Sequence, residues 1–443
     1  MFKYKFLTLV YLFSLTGPAI ASLTGINVQS LYRVPFSSFR WIDISILCIV
    51  AGYFYNLKNN YDIIKKNGLI ISVTILFLLF EAFQLFRTWG DNDFNYQISG
   101  FICTLSLFIL IDLSTFRIST DKIISFLKFL AVAGSICLII VNMITFYSFI
   151  SGRTIITDDS FRIGLDAEGA SESIYTAVII SYVYAFGLYF IQHQSKPWEK
   201  ILFAVAIISI YLSLVYSFAR GDMFTIGAIT IIYIVVFSKK TKQMFAQVFV
   251  LAFLGFVLYL VFGTTLREKG YDPIKKIAET AEFALDVNNP DWDKGRSVPR
   301  GYAIASWKQN VWTGIGYDAL YHHGAPEEFG TAHNFIITSL FHRGIIGTSI
   351  YLIILVLLFS NAIKLWFRLK SRHTYQEHLF KLLLIISFFW LVPFWNQEVI
   401  WEKYSLSMEF MYLGLITNIL VSTSMHSVSR RTPFVHPTLH VQP

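Results

Sequence analysis

Thr331-Ala332-His333-Asn334-Phe335 closes a long polar stretch, and Arg343-Gly344-Ile345-Ile346-Gly347 leads from it into the apolar run Ile350–Ser360. Runs of that kind, repeated along the chain as at Ile70–Phe80, decide the fold class. A helix that crosses a bilayer needs about 20 mostly apolar residues. The composition agrees: of 443 residues, 55% are hydrophobic and 14% charged, against about 25% charged in a soluble domain. The 42 phenylalanines suit lipid-facing surfaces better than a tight soluble core. The reading is an all-α, polytopic integral membrane protein.

Twelve transmembrane helices are predicted, at 4–22, 41–57, 68–86, 97–113, 122–150, 172–192, 201–218, 221–237, 244–262, 334–359, 379–395 and 404–422. The first, with Lys3 and Lys5 at its start followed by an apolar run to Ala21, resembles a signal peptide. It is read as an uncleaved span because further spans follow. One set of connections is short and basic: Lys58, Lys65 and Lys66; Arg117 and Lys122; Lys196 and Lys200; Lys239, Lys240 and Lys242; Lys364, Arg368, Lys370 and Arg372. These are expected on the cytoplasmic side. The opposite set holds 87–96, 151–171, the turn at 219–220, the long loop 263–333 and 396–403. It is expected to face outward, into the periplasm of a Gram-negative cell. The net charge of +8 is accounted for by this topology, and nucleic-acid binding is not expected.

Loop 263–333 is too long for a connector. Asp272 and Pro273 suit a helix start, and Ile274, Ile277, Ala278, Ala281 and Leu285 recur near the helical period. This helix is read as lying on the membrane surface. A second is predicted over Tyr302–Asn310, ended by the turn Gly314-Ile315-Gly316. The tail at 426–443 is polar and cytoplasmic. Cys48, Cys103 and Cys137 all lie in apolar segments without metal or disulfide spacing.

Outward-facing polar residues are the chemical candidates. His333 has two readings. It is a helix-end residue, with Asn334 an equally good cap, or a general base whose imidazole titrates near neutrality. His322, His323 and His342 are its rivals. His322 and His323 with Glu327 and Glu328 do not form a recognised zinc set. Arg220, in Ser217-Phe218-Ala219-Arg220-Gly221-Asp222, lies between two apolar spans. It pairs with Asp222, or it faces a functional cavity. Arg153 and Arg162 sit in loop 151–171, where Asp158, Asp159 and Asp166 are alternative partners. Arg296 and Arg300 sit in the long loop. Five arginines on three outward connections suit an anion such as a diphosphate, which guanidinium groups bind bidentately and stabilise as a leaving group. No P-loop, GxSxG, HExxH or dinucleotide fingerprint is present. Asp91 and Asp93 only weakly echo the paired aspartates of metal-dependent membrane glycosyltransferases. Metal-free chemistry without a cofactor is therefore favoured.

These residues resemble the bacterial O-antigen ligase and O-antigen polymerase family of membrane glycosyltransferases. The likeness is carried by Ser217-Phe218-Ala219-Arg220-Gly221, Arg162-Ile163-Gly164, Gly295-Arg296 through Trp307 to Trp312-Thr313-Gly314-Ile315-Gly316, and His333-Asn334 followed by Gly344-Ile345-Ile346-Gly347. It covers roughly 150–360. Val311 departs from the family's usual proline, and either Arg296 or Arg300 matches the arginine that precedes the tryptophan.

The resemblance implies a glycosyltransferase C-like membrane fold. It divides the chain into an N-terminal bundle 1–150, a catalytic region 151–359, C-terminal helices 360–425 and the tail. It implies a glycan donor on undecaprenyl diphosphate and a lipid A-core acceptor, or a second lipid-linked glycan for a polymerase. It implies His333 as the residue that deprotonates or orients the acceptor hydroxyl. Arg220, Arg296, Arg300 and Arg162 would hold the diphosphate, with Asn334, Gly314, Gly316 and Arg153 in support. Attack at the anomeric carbon would proceed with inversion. The implied setting is the inner membrane, with the reaction on the periplasmic face. A ligase is favoured over a polymerase. A flippase and a non-enzymatic export scaffold are the rivals from other classes, and no internal repeat supports a transporter.

Overall fold

The computed structural model describes residues 1–24, 40–59, 68–88, 94–116, 118–151, 155–157, 162–164, 172–193, 196–217, 220–237, parts of 249–268, 297–326, 332, 334–369, 375–391, 408 and 410–420. Those residues form an all-α polytopic architecture with one small β-ribbon. The helices are α1 Phe2–Thr24, α2 Trp41–Asn59, α3 Gly68–Arg87, α4 Phe94–Leu105, α5 Leu107–Thr115, α6 Thr120–Ile150, α7 Glu172–Gln192, α8 Pro197–Ser217, α9 Arg220–Phe237, α10 Ser297–Trp307, α11 Phe335–Leu369 and α12 Tyr375–Leu391. A further apolar helix, α13, spans Phe410–Leu420. Among the described residues, three helices are long and apolar enough to cross a membrane by length and composition: Gly68–Arg87, Thr120–Ile144 and Phe335–Leu369.

Helix α3 shows why these sequences fold as they do. Leu69, Leu76, Leu79, Phe83 and Phe86 form an exposed stripe, while Ile71, Thr74, Phe77, Leu78, Glu81, Gln84 and Leu85 are buried. Both sets recur every three to four residues, so one face meets the protein and the other is outward and, Ser72 apart, apolar. An outward face of that kind belongs in lipid, not water. The buried face packs on α11, where Gly347, Tyr351, Ile354, Leu358, Ala362, Leu365 and Leu369 are turned inward. Phe77 and Tyr351 meet with ring centroids 5.3 Å apart. Helices α6, α7 and α8 pack mutually, with α1 against α6 and α9 against α7.

Several predicted boundaries shift. The span read at 97–113 is two helices, α4 and α5, parted at Ser106. The span read at 334–359 continues to Leu369, so Lys364 and Arg368 are helical and not loop. Arg368 Nη1 donates to the Leu420 carbonyl at 3.1 Å, an anchorage its long stem permits. The helix predicted over Tyr302–Asn310 forms five residues earlier, as α10. Loop 151–171 contains an antiparallel ribbon, Ile155–Thr157 (β1) against Arg162–Gly164 (β2), in register Thr157 to Arg162. The surface helix predicted after Asp272 lies outside the described residues.

Candidate functional site

Helix α11 is broken at Gly344, whose φ of 62° and ψ of −164° are not helical. Two helical hydrogen bonds would normally run from Ile345 and Ile346 back to the carbonyls of Phe341 and His342. Instead, the connection after α10 enters the break. Ile345 N–H donates to the Val311 carbonyl at 2.9 Å and Ile346 N–H to that of Trp312 at 3.1 Å. The released carbonyls of Phe341 and His342 accept from Ile315 N–H at 2.7 Å and Gly316 N–H at 2.9 Å. Four bonds to the connection replace two within the helix, so the amides of Ile345 and Ile346 and the carbonyls of Phe341 and His342 keep partners.

This interlock explains the glycines of two motifs. Gly314 has φ of 70°, and a Cβ there would lie 2.5 Å from the backbone of His342, Arg343 and Gly344. A Cβ on Gly344 would strike the Trp312 carbonyl and lie 2.5 Å from Gly314 N. Gly316, with φ of 94°, leaves room for Thr88. The tryptophan of the same series has a structural partner: Trp307 Nε1 donates to the Val311 carbonyl at 3.1 Å. That carbonyl therefore joins the end of α10 to the break in α11.

Beneath the interlock is a buried ion pair. Arg343 Nε donates to Glu81 of α3, and the Tyr317 hydroxyl donates to the other carboxylate oxygen. Thr104 Oγ1 lies 2.8 Å from the Tyr317 hydroxyl. Glu81 and Arg343 side chains are 1% and 4% exposed, so each charge relies on its partner. Gly347 permits this approach, since a Cβ there would collide with Phe80 and with Arg343. At the end of α3, Gln84 donates to the Thr313 carbonyl and Arg87 Nη2 to that of Gly314 at 2.7 Å. His342 Nδ1–H donates to the Gly316 carbonyl at 2.7 Å. Side chains from α3 and α11 thus bind the carbonyls of three motif residues, Thr313, Gly314 and Gly316.

The predicted site residues stand as follows. Asn334 is placed as the N-cap of α11: its Oδ1 accepts from Ile337 N–H at 3.1 Å. Arg300 lies half-buried on α10, and α10 packs on α11. Gly314 and Gly316 form the interlock. Arg220 opens α9, and Arg162 opens β2, which packs against α8. The side chains of both are outside the described residues, as are His333, Arg296 and Arg153 entirely. Ala332, the residue before His333, is buried in a small core with Ala303, Leu320, Ala325 and Phe341. The structure therefore brings α10, the glycine turn and the capped start of α11 together.

Sequence reasoning missed Glu81, Arg343, Tyr317 and Asp318. The first two carried a usable signal, because an ionisable residue inside an apolar span is a functional or structural marker by default. Tyr317 and Asp318 follow Gly316 in a loop with no periodicity to read.

No curated protein matches this chain. A family model described as O-antigen ligase matches residues 203–352, a stretch that begins in α8, takes in α9, α10 and the interlock, and ends in α11. Over this region, which includes the glycine turn and the break in α11, the chain is similar to the O-antigen ligase family.

Proposed function

We propose that this protein is an O-antigen ligase. It transfers a polysaccharide from undecaprenyl diphosphate to a hydroxyl of lipid A-core, on the periplasmic side of the inner membrane, with inversion and without a metal. Residues 151–359 form its catalytic region. His333 accepts the proton of the attacking hydroxyl or orients it. Arg220, Arg296, Arg300 and Arg162 hold the diphosphate and disperse the negative charge that grows on it as the glycosidic bond breaks. Arg153 supports that cradle.

The observation that carries the reading is the interlock at Gly344. It joins the helix bearing Arg300 to the helix capped by Asn334, and its four hydrogen bonds give both a fixed frame. A reaction that brings a sugar carbon, a hydroxyl and a diphosphate into line needs such a frame, because misplacement of about 1 Å costs on the order of 100-fold in rate.

The test is a deletion strain complemented with variants, read on a gel of surface glycolipid. Core lacking any repeat unit in the deletion strain is expected. Core bearing a single repeat unit would make the protein a polymerase of lipid-linked repeats. Lipid-linked glycan held on the inner leaflet would make it a flippase. His333→Ala and Arg220→Ala are each expected to abolish attachment of long-chain glycan while inserting normally. Attachment retained in both would overturn the site.

A further inference from the structure

The connection between Gly316 and Ala332 contains a cluster that the proposed transfer step does not use. Asp318 is almost wholly buried, yet it binds two imidazoles. His322 Nδ1 lies 2.5 Å from Oδ1 and His323 Nε2 lies 2.8 Å from Oδ2, and the Ala319 N–H donates to Oδ1 at 2.8 Å. Burial alone would raise the Asp318 pKa. The hydrogen bonds from His323, His322 and the Ala319 amide outweigh it and hold the carboxyl below its ordinary value. An ionised carboxylate only accepts, so each ring presents a protonated nitrogen to it. In the neutral ring the opposite nitrogen, Nε2 of His322, is then a lone-pair acceptor with a fixed direction.

His322 is exposed, with one exposed aromatic ring against it and another bordering the turn. Tyr321 meets its ring edge-on at a centroid distance of 4.5 Å. Tyr302, from α10, borders the end of the same turn, where a Cβ on Gly324 would lie 3.8 Å from its ring. Tyr302 and Tyr321 are both exposed. The base is rigid: the 3₁₀ turn Leu320–His323 ends at Gly324 in the left-handed conformation, and Leu320 is packed with Ala303 and Phe341 in the small core.

We propose that Tyr302, Tyr321 and His322 form a glycan-binding subsite, with Asp318 as the positioning residue that locks the imidazole. A sugar ring offers apolar C–H faces to the tyrosines and hydroxyls that donate to the imidazole nitrogen. Tyrosines supply contact area at low conformational cost. The carboxylate under the rings disfavours a diphosphate, so the ligand of this subsite is the uncharged sugar part of a substrate. The proposal deepens the transferase reading and rests on it for which glycan arrives.

The test uses the full-length protein in nanodiscs and, as probe, repeat-unit oligosaccharide released from the host's own surface polysaccharide and carrying no diphosphate. Saturation-transfer NMR should detect binding to the wild type. Tyr321→Ala and His322→Ala should each weaken it about tenfold. Asp318→Asn should weaken it less, and His322→Gln should restore part of the loss. Unchanged binding in a monodisperse Tyr321→Ala/His322→Ala double variant would overturn the subsite. So would an effect of Tyr321→Ala confined to melting in the bilayer, which would make the tyrosines lipid anchors. If His333→Ala transfers glycan normally while the loop variants lose the probe, the transferase assignment fails and the subsite stands. If His333→Ala is inactive and the loop variants bind normally, the subsite fails and the assignment stands.

Discussion

Two carboxylates sit inside this helical bundle, each held by a cation and a tyrosine hydroxyl. At one, Asp112 of α5 takes Lys3 Nζ at 2.5 Å and the Tyr4 hydroxyl, both from the first turns of α1. At the other, Glu81 of α3 takes Arg343 and Tyr317. The chemistry is nearly the same and the consequences differ. Lys3 keeps part of its side chain exposed and joins two helices. Arg343 is buried beside the break in α11, and Tyr317 directly follows the glycine turn. The first cluster ties helices together. The second sets the position of a motif-bearing loop, so under the proposed function stability and transfer are coupled there.

That contrast can be broken most forcefully at Arg343. Arg343→Met leaves Glu81 buried without its cation, an effect on the order of 3–5 kcal/mol. It should both lower the melting temperature in detergent and abolish transfer. The double variant Glu81→Gln/Arg343→Met should recover most of the stability but not the transfer. Recovery of both would reduce the pair to a helix tie like the one at Asp112.

Gly344→Ala comes next. Its φ and ψ lie in a region essentially reserved for glycine, where a side chain costs about 1–3 kcal/mol, and the added Cβ strikes the Trp312 carbonyl. Transfer should fall at least as far as for Gly314→Ala, measured at matched protein levels. Asp112→Asn tests the other arm. It should cost about 1–3 kcal/mol in chemical denaturation and leave the KM for lipid-linked donor unchanged. A changed KM would erase the distinction between the clusters.

Smaller effects are expected at the loop ends. Asn334→Ala removes the cap of α11 and should cost about 1 kcal/mol, with Asn334→Asp retaining most of it. Asp318 offers a pH test. Its folded pKa is depressed, so its contribution is complete above its ordinary value of 3.8 and is lost as pH falls through the lower folded value. Hydrogen exchange across 317–325 should therefore quicken in acid, and Asp318→Asn should remove that dependence.

Apolar periodicity made the helices readable. Predicted spans at 68–86, 172–192 and 221–237 fall within a residue of α3, α7 and α9, because lipid demands long uninterrupted runs with polar ends. The exceptions have local causes. Charges at Lys364 and Arg368 suggested a loop, but their stems let the helix continue. The break at Gly344 was invisible because its hydrogen bonds go to residues about 30 positions earlier, and a glycine within an apolar run looks like any other. The glycines of the site were legible as a motif, though not as an interlock. Glu81 and Arg343 were legible in principle by the rule that singled out Arg220. Their pairing was not, since more than 250 residues separate them.

The break in α11 also has a consequence for biogenesis. After Gly344, residues 345–369 extend about 37 Å at 1.5 Å per residue, enough to cross a bilayer about 30 Å thick. The segment before it is too short to cross alone. If the helix is broken before the 311–316 connection docks, the amides of Ile345 and Ile346 and the carbonyls of Phe341 and His342 lack the partners they have in the interlock, and each such group in hydrocarbon costs several kcal/mol. Before docking, the segment must either run as an unbroken helix or leave these groups without partners. Docking of the motif loop therefore completes the fold of α11, so a misplaced loop is expected to leave a chain that quality control can recognise.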